Sequence, residues 1–126
     1  MIPDSVKRFI LTSVLSVPYL EGMLWLRAHP DIDHDAKAVA RALYLTEGMA
    51  GQLLLALEAS GVLVQTGNAD DATFRYRPRD ERLAAKIDAL SVAYAANLVE
   101  IAKLVHDGTH RNAHRFADAF KLRKDT

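Results

Sequence analysis

The chain has 126 residues, half of them hydrophobic, enough for one domain with a real core. Lys plus Arg and Asp plus Glu stand at 16 each, so the net charge is zero, which argues against a protein that coats nucleic acid without regard to sequence. Cysteine is absent, which removes disulfides and thiolate metal sites.

Asp4 or Ser5 is expected to cap a first helix with Val6, Phe9, Ile10, Leu11, Val14 and Leu15 as its apolar positions. Ser16 is placed to cap a second, with Pro18 in its first turn and a stop near His29-Pro30. The stretch Asp31-Ile32-Asp33-His34-Asp35 reads as a link too polar for the core, with Asp33 or Asp35 capping a third helix whose apolar positions are Ala36, Val39, Ala40, Leu43 and Tyr44. Thr46 caps a fourth, whose apolar side is Met49, Leu53, Leu54 and Leu57 and whose end is marked by Gly61. The period then changes to two: a strand over residues 62–65, a turn, and a return strand over 73–77 closed by Pro78. A long helix is expected from about Asp80 to Val105, followed by a basic amphipathic tail.

No apolar run nears the roughly 20 residues that cross a bilayer, and Met1-Ile2-Pro3-Asp4 does not read as a secretion signal, so the expectation is a cytoplasmic protein with no membrane partner. His106, His110 and His114 repeat every fourth residue, but Gly108 interrupts them, and Asp31, Asp33 and Asp35 lack the glycine and glutamate of a calcium loop. Neither a glycine-rich phosphate loop nor a nucleophile elbow is present. The expectation is a chain without metal or cofactor that is not an enzyme.

The segment 36–77 resembles the winged helix-turn-helix of transcription regulators of the MarR and PadR type. The resemblance is carried by Val39-Ala40-Arg41-Ala42-Leu43, the turn Tyr44-Leu45-Thr46, then Leu53, Leu57-Glu58, Ser60-Gly61-Val62-Leu63 and Phe74-Arg75-Tyr76. It implies a mainly α fold with a small β-hairpin wing, and a recognition helix near Thr46–Ser60 lying in the major groove of double-stranded DNA. Thr46, Glu47 and Gln52 would then meet bases, and Arg75, Arg77 and Arg79 would meet phosphates.

Two features qualify that picture. No Lys or Arg lies from Ala42 through Phe74, so Thr46 also reads as a mere cap, with Gly48 and Gly51 permitting close helix packing. The wing arginines also read as a solvated face paired with Asp70, Asp71, Asp80 and Glu81. The alternative function is a winged-helix protein-interaction or assembly module that does not read DNA.

The last helix carries a seam, Leu83, Ile87, Leu90, Tyr94, Leu98, Ile101 and Val105, and a second stripe of small residues, Ala85, Ala89, Val92, Ala96, Val99 and Ala102. A helix apolar on two sides is buried on two sides, which points to a homodimer paired along this seam. The division expected is therefore a winged-helix domain over 1–78, a dimerisation helix over 79–108, and a basic tail over 109–126 that could dock on a protein partner.

Overall fold

Ser16 makes the first corner of the chain. Its Oγ accepts from the Tyr19 N–H at 3.1 Å, and this cap separates α1 (Asp4–Ser13) from α2 (Val17–Ala28). The two helices diverge by 113°, and no single helix among the described residues is long and apolar enough to cross a membrane. The computed structural model describes residues 2–68 and 70–108. The expected side-chain cap of α1 is not made: Pro3 holds that position, and its carbonyl accepts from the Val6 and Lys7 N–H groups. Asp4 is left inside the first turn, where its charge favours the helix dipole.

Asp35 caps α3 (Ala36–Leu43) through the Ala38 N–H at 2.8 Å, and Thr46 caps α4 (Glu47–Ala59) through the Met49 N–H at 3.1 Å. The end of α4 follows from Gly61, whose φ of +83° lets Val62 N–H reach the Leu57 carbonyl and Gly61 N–H reach that of Glu58. The chain is thereby turned into β1 (Leu63–Gly67), antiparallel to β2 (Ala72–Tyr76), with Gln65 opposite Phe74.

Asp80 caps α5 (Glu81–Ala96), and residues 98–108 form a further helix, α6. The single helix expected to Val105 is thus interrupted at Asn97. Both its backbone N–H and its side-chain amide bond the Ala93 carbonyl, at 2.8 and 3.2 Å, so the side chain competes with the helix ladder at that turn.

One continuous core joins these elements. Leu20, Met23 and Leu26 of α2 meet Val39 of α3, Leu54 and Leu57 of α4, Ile87 and Leu90 of α5 and Ile101 of α6, all of them fully buried. At the α2–α4 crossing a Cβ on Gly22 would lie 2.6 Å from Leu53 Cδ2, so these helices approach where a side chain is missing. The architecture is the expected one: mainly helical, with a helix-turn-helix and a two-stranded wing.

Candidate nucleic-acid interface

The turn between α3 and α4 places the second helix. Leu45 N–H closes back on the Ala40 carbonyl at 2.9 Å, which puts Tyr44 in the left-handed region at φ +58°. A residue with a Cβ is strained there by about 1–2 kcal/mol. Tyr44 recovers nothing by packing, because it is 96% exposed. The period of 3.6 counts Tyr44 on the apolar side of α3, and that reading is corrected: the helix ends at Leu43 and the ring turns into solvent.

The inner side of α4 is Ala50, Leu53, Leu54 and Leu57, all buried. Spacings of four and three then put Gly48, Gln52 and Leu55 along the centre of the outer side, with Glu47 and Met49 on its flanks. Gln52 is exposed, and its side chain makes no hydrogen bond among the described residues. Gly48 and Gly51 are not required by packing within the chain: a Cβ on Gly51 meets nothing within 4 Å, and one on Gly48 only Thr46 Oγ1 at 4.0 Å. The reading of these two as close-packing glycines is therefore corrected; that role belongs to Gly22.

The wing arginines divide. Arg75 Nε donates to Asp33 Oδ1 at 3.0 Å, and Arg79 lies 3.6 Å from the Asp80 carboxylate with its stem over Gly61. Arg77 falls just beyond β2, exposed, and makes no ion pair among the described residues. Arg75 thus takes a partner from the 31–35 link, not one of the nearby acids expected for it.

That link is itself part of the wing. His34 exchanges two backbone hydrogen bonds with Phe74, both 2.8 Å, as a short third segment beside β2. His34 is only 5% exposed, and its ring lies 4.7 Å from that of Trp25, edge-on. The expectation that this link stays outside the core fails at His34, because strand pairing supplies partners for its peptide and α2 covers its ring. On the other side of the wing, Arg27 of α2 donates to Asp88 of α5 at 2.8 Å and to Ser91 Oγ at 3.3 Å. Beside this pair the Tyr76 hydroxyl is buried without a hydrogen-bond partner among the described residues; burial first, and then the Asp88 charge, push its pKa up to about 12.

The expected dimer seam is placed differently from its proposed use. Leu83, Ile87, Leu90 and Ile101 are buried in the chain's own core, Tyr94 is half-buried, and Leu98 is 55% exposed. The face left open is the second stripe up to its last member: Ala85, Ala89, Val92, Ala96 and Val99 are exposed, Val92 by 72% and Val99 by 78%, and Ala102 is half-buried. A cavity of about 300 Å³ lies between α1, α2 and α5, lined by Phe9, Tyr19, Met23, Arg79 and Lys86 among others. Tyr19 donates to Ser60 Oγ there at 2.9 Å, while Trp25 and Tyr94 stand outside it. No cluster of metal-ligating side chains occurs among the described residues. His110, His114 and the tail 109–126 lie outside the described residues.

No protein-family model matches the chain, and no curated protein matches it in sequence. Solved structures do match its fold. MarR from Listeria monocytogenes is 16% identical with a TM-score of 0.53, over 95% of this chain and 82% of that one. A mutant of MepR from S. aureus bound to an oligodeoxyribonucleotide is 15% identical with a TM-score of 0.51, over 86% of this chain and 78% of that one. The PcaV transcriptional regulator from Streptomyces coelicolor, in complex with its natural ligand, is 18% identical with a TM-score of 0.53, over 96% and 82%. The chain has the winged-helix fold of MarR-type transcription regulators.

Proposed function

We propose that the chain is a dimeric DNA-binding transcriptional regulator, with α4 in the major groove and the wing against the backbone beside it. The observation that carries this reading is the outer side of α4. Gly48, Gln52 and Leu55 are turned away from the core, and the Gln52 amide makes no hydrogen bond among the described residues. The likeness in fold to MepR, a protein that binds an oligodeoxyribonucleotide, supports the same use of the helix. Arg77, without an ion pair among the described residues, supplies a cation that such a wing needs for phosphate. The dimer is proposed on the open face of α5 and α6, through Val92, Leu98 and Val99, since the rest of the seam serves the chain's own core.

The test is binding to mixed duplex DNA across a salt series. Affinity should fall steeply with salt, and Arg77→Ala should reduce the slope by about one. Absence of binding at low salt removes the reading.

A second reading is a winged-helix module that binds protein. It is favoured by the exposure of Tyr44, Met49 and Leu55 on a surface without a cation from residue 42 to residue 74. An affinity for duplex that does not change with salt or sequence would favour it.

A further inference from the structure

We propose that α4 is built to read A·T base pairs at the centre of each half-site; this rests on the DNA-binding reading above. In the major groove guanine is read by Arg or Lys at O6 and N7, and adenine by Asn or Gln at N6 and N7. Thymine is read by apolar contact with its methyl group, and cytosine by a carboxylate at N4. The outer side of α4 holds a selective part of that set.

Guanine has no reader there, because no Lys or Arg lies from residue 42 to residue 74. Adenine has one at the centre of the face. Gln52 is exposed and makes no hydrogen bond among the described residues, its amide offers both donor and acceptor, and Gly48 and Gly51 put no side chain beside it to block a close approach. Thymine has one beside it: Leu55 holds an apolar tip in water at 58% exposure, ready to cover a methyl group, while Met49, 51% exposed, stands on the flank. The carboxylates suited to cytosine, Glu47 and the half-buried Glu58, each stand about a quarter turn from the Gly48 direction, on the flank that meets the phosphates rather than the groove floor.

The experiment recovers bound sequences from a random duplex pool at low salt, using the full chain and its Gln52→Ala and Gln52→Arg variants. Gln52 is exposed, so both variants should melt at the wild-type temperature. A·T pairs should dominate the core of the recovered half-site. Gln52→Ala should weaken binding to that duplex by about 5- to 100-fold and flatten one A·T position, and Gln52→Arg should move that position towards G·C. A recovered core led by G·C, or an adenine preference unchanged in both variants, overturns the proposal. Failure to bind any duplex is a different result: it removes the DNA-binding reading, and the proposal falls with it.

Discussion

Arg75 on the wing is held by Asp33 on the link before α3, with Nε and Oδ1 3.0 Å apart and each side chain more than two-fifths exposed. An ion pair this open adds about 0–1 kcal/mol to stability. Its larger effect is on the charge the wing presents, because Asp33 cancels a cation that would otherwise face outward. Asp33→Asn should leave the melting temperature nearly unchanged and strengthen binding to duplex DNA several-fold at low salt. Titrations at two ionic strengths check this; an affinity that falls would mean Asp33 itself faces the ligand.

Two of the left-handed residues, Tyr44 and Gly61, predict stability changes of opposite sign. Tyr44→Gly relieves strain without losing packing, since its ring is 96% exposed, and should stabilise the fold by about 0.5–1 kcal/mol. Gly61→Ala should cost about 1–2 kcal/mol, because its φ is +83° and the new Cβ would lie 2.8 Å from Arg79 Cδ. Denaturant titration of both variants reads the pair.

On α4, Gly51→Ala adds a methyl in open space and should stabilise by about 0.5–1 kcal/mol. If the outer side of this helix meets a close-fitting partner, the same change weakens binding while it raises stability. A gain in stability with binding unaltered would place Gly51 away from the contact.

Tyr76 makes the fold sensitive to alkali. Its folded pKa, near 12, lies above the ordinary 10.0, so the folded state favours the neutral phenol. Stability from this source is complete below pH 10 and is lost as pH rises from about 10 through about 12. Tyr19 and Tyr94 are shifted in the same direction, in each case mainly by burial. Tyr76→Phe should blunt the loss, and it should cost nothing at neutral pH, because the hydroxyl removed has no partner among the described residues. Melting temperature against pH for both proteins decides the matter.

For the dimer, Val92→Glu and Leu98→Glu should halve the mass in solution and leave the helical spectrum intact, since both side chains are exposed in the single chain. Ile87→Ala is the contrast: it should cost about 2–5 kcal/mol by opening a cavity in the chain's own core. A wild-type chain already monomeric at working concentration would remove the proposed pairing.

The helices and the hairpin were legible because their signals are local. Ser16, Asp35 and Thr46 each precede a run of period 3.6 and accept the first free N–H groups, and Gly61 and the alternation around Phe74 mark the turn and the wing. The paired apolar stripes of the last helices were legible as well, but not which stripe faces inward, because periodicity gives faces and not neighbours. The Arg75–Asp33 pair joins positions 42 residues apart, and burial of His34 needs both the strand and α2 in place. Such contacts exist only once the chain has folded. Of the residues proposed for the interface, Gln52 and Arg77 are exposed, whereas Tyr44 counts by period as an apolar position of α3 and the pairing of Asp33 with Arg75 has no local signal.

His34 has a mechanical consequence. Its peptide is stitched to Phe74 on the wing, while its ring lies between Trp25 and the end of α2, with Nε2 3.3 Å from the His29 carbonyl. The hairpin is therefore no loose flap hung from Gly61 but one arm of a crank whose shaft is α2. A force that tilts α2 is carried out along β2 to the turn at Gly67, and a load on that turn is felt at the root of the helix.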